Sequence, residues 1–352
     1  MTTNRYSWSL AEPGQALERT ESAGRQPEAA EVLIEVAGCG VCHTDLGYAD
    51  GHVSTRAPLP LVLGHEIVGT VVEAGPDAGE WMGMPVLVPA VIPCGECDHC
   101  AAGRGNVCQR QLMPGNDLDG GFATHVTVPS MGLTAIESLP AGYELADFAV
   151  VADAVTTPLQ AVRRAAVSEG DLAVVVGTGG VGTYAVQIAA AAGATVVAVD
   201  IDDSRLTPLH DHGAAATVNS TGMTPRQARE AVRDHANGLG APATGWKIFE
   251  CSGSVPGQET AFGMLGPAGT LAIVGFTMDK VSVRLSNLMA FDADAFGSWG
   301  CPPQRYPEAV GLVTSGLVDL LPFTRKIPMT EVESALAAAR DGSDPRRSIL
   351  IP

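Results

Sequence analysis

The sequence predicts a mixed α/β protein of two domains, a β-rich module with metal-bearing loops and a doubly wound parallel sheet. Three observations predict it: a length of 352 residues at 46% hydrophobic content, a first third dense in cysteine, and a succession of strand, Gly-rich turn, helix and strand that begins near Leu172. A chain of this length exceeds what one core normally supports, so two domains sharing a cleft are expected.

From Glu31 to Leu139 short β-branched runs at 32–36, 67–72 and 85–91 alternate with Gly and Pro punctuation, the pattern of an all-β module. The character changes near Ala154. An Ala-rich helical stretch reaches Val167, then come an apolar strand at 172–176, a Gly-rich turn, a helix over about 180–192 and a strand at 195–199. Strand and helix repeated at this spacing indicate a parallel sheet with crossover helices. Further strands are expected at 247–250 and 270–275, and residues 220–245 read as a polar helix plus loop. The sheet domain closes near Trp299, and two helical patterns (306–317, 331–340) with a final strand (347–351) return to the first domain. The expected boundaries are 1–153 with 301–352, and 154–300.

The formal charge of −18, from 39 acidic and 21 basic side chains, repels phosphate backbones and anionic membrane surfaces, so neither nucleic acid nor membrane is an expected partner. The first ten residues lack the apolar core of a secretory signal, and no stretch is long enough without charge or Gly/Pro breaks to span a bilayer. A soluble, cytoplasmic protein is expected. In a reducing compartment the six cysteines Cys39, Cys42, Cys94, Cys97, Cys100 and Cys108 point to metal more than to disulfides.

The strongest motif is Cys94-x2-Cys97-x2-Cys100-x7-Cys108, whose short spacers let one loop place four thiolates around Zn²⁺. A closed four-sulfur shell leaves no position for substrate, so this zinc is structural. The second constellation is Cys42-His43-Thr44-Asp45 with Gly64-His65-Glu66. Cys42 and His65 can each supply one ligand, a catalytic zinc needs three, and the third must come from elsewhere. Glu66 is placed to tune such a site through its neighbour. Taken singly, a lone Cys or His is more often a core residue.

The third motif is Gly177-x-Gly179-Gly180-x-Gly182, directly after one strand and opening a helix. Glycines there let the backbone approach a pyrophosphate whose charge sits at the helix N-terminus. Asp200 ends the next strand, where a carboxylate accepts hydrogen bonds from the adenosine ribose and repels a 2′-phosphate. That favours NAD over NADP, with Arg205 nearby as an opposing positive charge.

Together these residues resemble the zinc-containing medium-chain dehydrogenase family over most of the chain, from Glu31 to Ile351. The resemblance implies a GroES-like catalytic domain and a Rossmann domain, and a homodimer or homotetramer. It makes Cys42 and His65 catalytic zinc ligands and Cys94, Cys97, Cys100 and Cys108 the structural set. Thr44 matches the hydroxyl that takes the alcohol proton, His43 and Arg347 match contacts to the cofactor phosphates, and Thr157 and Val181 fall at cofactor-binding positions. Many members carry Cys or Glu as third ligand before a Ser/Thr-Thr pair. Here Asp153 precedes Thr156-Thr157 and takes that role. The histidine that often ends the proton relay is Gly47, which leaves the cofactor ribose, water or His52 as the proton's exit.

A narrower resemblance, carried by residues 31–48, 113–116, 150–158, 245–250, 285–292 and 299–301, is to the 6-hydroxycyclohex-1-ene-1-carbonyl-CoA dehydrogenases. It implies oxidation of a ring secondary alcohol beside a C=C. A CoA thioester, a cyclitol or another cyclic alcohol are the candidate substrates. The rival activities are an enone hydratase built on the same zinc and a nucleotide sensor without turnover.

Overall fold

The computed structural model describes residues 5–21 and 25–352, which form two compact units. One comprises the described residues up to Thr156 with Gly300–Thr314 and Phe323–Pro352; the other comprises Thr157–Trp299 with Ser315–Pro322. Among the described residues no single helix is long and apolar enough to cross a membrane.

The first unit is built on the strand Glu31–Gly40, which pairs antiparallel with Glu66–Ala74, His125–Pro129 and Arg347–Ile351. Val32, Ile34 and Val36 of this strand pack with Val71, Val126, Val128 and Leu350 in one core. Burying β-branched residues on a pleated surface is what strands do best, so the early apolar runs become this sheet. The pairing register decides where the motifs meet. Gly40 lies opposite Glu66, and Ile349 lies opposite Gly40. Cys42 just beyond one strand, His65 just before the next and Arg347 at the start of a third therefore emerge at the same end of the sheet.

The second unit is a six-stranded parallel sheet of β1 (Leu172–Val176), β2 (Thr195–Asp200), β3 (Ala216–Asn219), β4 (Lys247–Glu250), β5 (Thr270–Ile273) and β6 (Asp294–Gly297). Its spatial order is β3-β2-β1-β4-β5-β6. The order reverses between β1 and β4, and the crevice beyond the strand ends at such a switch point is where nucleotides bind. Every residue of β1 is buried, as befits a central strand covered on both faces. The helix α1 (Gly182–Ala191) follows the Gly-rich turn. The polar stretch after Ser220 yields the helix Pro225–Gly238, started by a Thr224/Gln227 capping box.

Several expected elements come out shorter. The helix expected from Ala154 to Val167 runs Thr156–Arg164, the strand expected over 85–91 stops at Leu87, and the helix expected over 306–317 ends at Thr314. Pro89 and Pro93 cannot donate to a sheet ladder, and Gly316 takes a left-handed φ of 75° that an α-helix does not use.

Candidate metal and nucleotide sites

Four thiols converge where the spacing places them. Sγ separations are 3.4 Å for Cys94–Cys108, 3.5 Å for Cys97–Cys100, 3.6 Å for Cys97–Cys108 and 3.9 Å for Cys94–Cys100. A ZnS₄ tetrahedron with Zn–S of about 2.3 Å has edges of about 3.8 Å, so the cluster has the dimensions of a closed zinc site. All four are free thiols. The Glu96 backbone N–H pulls the Cys94 thiol down to about 6, and the Cys100 N–H lowers Cys97. Burial, with the neighbouring thiols, lifts Cys100 to about 11. Arg110 adds positive charge here, its Nη2 lying 3.3 Å from the Cys94 sulfur while Nη1 pairs with Glu96 at 2.7 Å.

The second cluster forms at the shared sheet end. Single donor atoms of Cys42, His65, Glu66 and Asp153 all lie within 4.8 Å of one another. The Asp153 carboxylate is 3.7 Å from His65 Nε2 and 3.9 Å from Cys42 Sγ. A tetrahedral zinc held by the same three atoms would set these at about 3.4 Å and about 3.6 Å. His65 is 1% exposed, and neither ring nitrogen has a hydrogen-bond partner. Burying an imidazole that way is costly unless something coordinates it, so the residues fit a metal. The Thr44 hydroxyl stands 3.7 Å from the Cys42 sulfur. Burial opposes a charged His65, but Asp45 and Asp153 outweigh it and hold the imidazole well above the ordinary histidine range.

Two supports hold this cluster. Asp45, fully buried in the helix His43–Ala49, accepts a hydrogen bond from the Cys42 amide at 2.9 Å and one from the Gly64 amide at 3.2 Å, and lies 3.3 Å from His65 Nδ1. It ties both ligand-bearing segments together and orients the ring. Sequence reasoning gave Asp45 no role, although its place between Cys42 and the strand end was the available signal. The other support is Glu66, buried and bound bidentate by Arg347, Nε to Oε2 at 2.8 Å and Nη2 to Oε1 at 2.7 Å. Burial raises the Glu66 carboxyl toward about 7 against the pull of Arg347. Arg347, expected on the cofactor phosphates, is thus engaged with Glu66. His43 opens the helix and is exposed, and His52 sits in the exposed turn beyond it. Further along that helix, Tyr48 lines a cavity of about 290 Å³ with Leu10, Pro13, Val53, Ser54 and Thr55.

In the second unit, Gly177 follows β1 at φ 85°, and a Cβ there would meet the Ser252 amide at 2.5 Å; a Cβ on Gly182 would meet the Gly177 carbonyl at 1.8 Å. Only glycine permits that turn. Gly179, Gly180 and Val181 complete it and lead into α1, where the Thr183 and Tyr184 amides already donate to the Gly179 and Val181 carbonyls at 3.1 Å, so an anion at this helix N-terminus would be met by the amides of the turn before them. Asp200 is 6% exposed and already accepts four hydrogen bonds: from the Thr178 amide at 2.6 Å and hydroxyl at 3.0 Å, and from the Ile201 and Asp202 amides at 2.8 and 3.1 Å. The carboxylate expected to read the ribose also fastens the Gly-rich turn to the end of β2. The Arg205 guanidinium lies 3.8 Å from where a Gly179 Cβ would stand, and its Nε is 3.7 Å from Asp202. Thr157 is buried.

Residues 28–138 match the family model described as alcohol dehydrogenase GroES-like domain, and residues 180–315 match zinc-binding dehydrogenase. An alcohol dehydrogenase of Rhizobium meliloti (strain 1021) is 34% identical over 300 residues, 83% of each chain. The chain belongs to the zinc-dependent medium-chain alcohol dehydrogenases. The dehydrogenase is also 29% identical over 328 residues to scyllo-inosose 3-dehydrogenase of Thermotoga maritima, covering 86% of this chain and 81% of that one. The crystal structure of galactitol-1-phosphate dehydrogenase from Escherichia coli superposes with a TM-score of 0.86 at 25% identity, over 99% of this chain and all of the other. The chain is an NAD(P)-linked, zinc-dependent oxidoreductase of the GroES-like plus Rossmann architecture.

Proposed function

We propose that this dehydrogenase oxidises a secondary alcohol on a six-membered ring, a cyclitol or an alcohol beside a ring alkene, to the ketone, with NAD as the favoured acceptor. Cys42, His65 and Asp153 hold the catalytic zinc and Cys94, Cys97, Cys100 and Cys108 the structural one. The observation that carries this reading is the buried cluster of Cys42, His65 and Asp153, with the His65 Nε2 and the Asp153 carboxylate 3.7 Å apart, facing each other without a hydrogen bond. When bound, zinc supplies a Lewis acid and NAD the hydride acceptor.

The chain's own residues do the rest. One thiolate and one carboxylate together balance the charge of a divalent ion. Thr44, beside the cluster, takes the proton of the substrate hydroxyl. The names of the relatives favour a polyol or cyclitol, and the charge of −18 opposes a phosphate-bearing CoA thioester, which stands second on the narrower resemblance. Asp200 at the end of β2 favours NAD through its negative charge. A homodimer or homotetramer belongs to the same reading, supported by the exposed apolar residues Leu285 and Met289 at the helix Ser286–Phe291 that precedes β6.

The test is a rate comparison with NAD⁺ and NADP⁺ against cyclitols, cyclic allylic alcohols and their CoA thioesters. Turnover of free ring alcohols at or above the thioesters supports the reading. Turnover of thioesters alone moves the substrate to CoA, activity confined to short primary alcohols rejects the ring, and solvent-oxygen incorporation without NADH formation makes the enzyme a hydratase.

A further inference from the structure

Asp153 follows the last residue of the 3-10 helix Leu145–Ala152, with φ −138° and ψ −55°. The terminal carbonyls of a helix have no partner within it and must find one elsewhere. The buried Ala152 carbonyl finds two. The Tyr306 hydroxyl donates to it at 2.6 Å and the Thr156 hydroxyl at 3.0 Å. Tyr306 itself is 1% exposed, and its oxygen accepts the Ala90 amide hydrogen at 3.0 Å. Ala90 lies four residues before Cys94. One phenol therefore bridges the segment leading into the four-cysteine loop and the peptide from which Asp153 departs.

We propose that Tyr306 is a positioning residue for the catalytic metal centre. By fixing the Ala152 peptide, its hydroxyl aims the Asp153 carboxylate at Cys42 and His65. A carboxylate on a C-terminal turn is free to swing about its backbone unless that backbone is anchored. Here the anchor reaches back across 154 positions of sequence. Tyr306 touches neither substrate nor cofactor in this scheme, and its effect is on how tightly the three-ligand site keeps its ion. The proposal rests on Asp153 being a ligand.

The experiment follows zinc release from the purified holoenzyme into a chromogenic chelator, in the wild type, Asp153→Ala, Tyr306→Phe and Thr156→Val. Asp153→Ala identifies the phase that belongs to the catalytic site, because that phase should vanish. Removing outer partners of metal ligands typically costs 10–100-fold in metal affinity. Tyr306→Phe, which keeps the ring, should therefore release the catalytic zinc about 10-fold faster or more, with a smaller effect on the four-cysteine phase, whose leading segment loses the acceptor of the Ala90 amide. In the cobalt-substituted protein it should also shift the d–d bands. A merely structural role would move both release phases together and leave the bands in place, and that result overturns the proposal. If Tyr306→Phe does not fold, Thr156→Val tests the same anchor, with faster catalytic-site release expected and a wild-type rate refuting it. Should Asp153→Ala keep both zinc ions, the ligand reading itself falls. Should it lose one while Tyr306→Phe behaves as wild type, only the role of Tyr306 falls.

Discussion

Replacing Asp45 by alanine should damage stability and metal retention together. Its carboxylate is fully buried and accepts hydrogen bonds from two amides on different segments, Cys42 at 2.9 Å and Gly64 at 3.2 Å. Each buried amide left without an acceptor costs about 1–3 kcal/mol. Relief of the desolvation of a buried charge returns part of that sum, so about 2–4 kcal/mol is the net loss, a large share of the roughly 5–15 kcal/mol by which a domain is stable. Asp45 also stands 3.3 Å from His65 Nδ1, and freeing the ring should weaken the catalytic zinc by about 10–100-fold. Asparagine has one oxygen to offer two amides, so Asp45→Asn should fall between the wild type and Asp45→Ala on both scales. Urea unfolding of the zinc-loaded proteins, with zinc release into a chelator, reads both. If Asp45→Ala unfolds within about 1 kcal/mol of the wild type and keeps its zinc equally long, the clamp is not what holds Cys42 and His65 together.

Three further outcomes are expected. Asp200→Ala should narrow the ratio of kcat/KM for NAD⁺ over NADP⁺ and also loosen the Gly-rich turn, since four donors lose their acceptor; an unchanged ratio would show that Asp200 does not read the ribose. Gly182→Ala should abolish cofactor binding measured by fluorescence titration, because the new methyl would lie 1.8 Å from the Gly177 carbonyl; wild-type affinity would contradict the close approach. Arg340→Ala should matter little. The Arg340 hydrogen bond holds the Asp50 carboxyl below its ordinary range, so its contribution is present above the ordinary Asp value near about 3.9 and fades as pH falls through the lowered one. The pair is partly solvent-exposed, so less than about 1 kcal/mol is expected from unfolding curves at neutral pH.

What the sequence made legible was local. Four cysteines within fifteen residues can only meet in one loop, and glycines between a strand and a helix need no tertiary information to be read as a phosphate turn. Strand β1, Leu-Ala-Val-Val-Val, is a continuous apolar run and stood out for that reason. The strand β6, Asp-Ala-Phe-Gly at the sheet edge, is mostly exposed and carries no such run. Interactions across long sequence separations left no periodic trace either. The Glu66–Arg347 pair spans 281 positions and exists because two strand ends share a register, and the Tyr306 hydroxyl reaches Ala152 from a returning segment. Asp45 was visible but silent, because a carboxylate next to a ligand cysteine acquires its meaning only when Gly64 and His65 fold against it.

The proposed catalytic centre is decided by the zinc content and turnover of Asp153→Ala beside the wild type. The wild type is expected to bind about two zinc ions per chain and Asp153→Ala about one, since the four-cysteine site is closed and independent. The variant should fold yet fail to oxidise any ring alcohol with NAD⁺. If Asp153→Ala keeps both zinc ions and its activity, Asp153 is not the third ligand and the proposed catalytic centre is wrong.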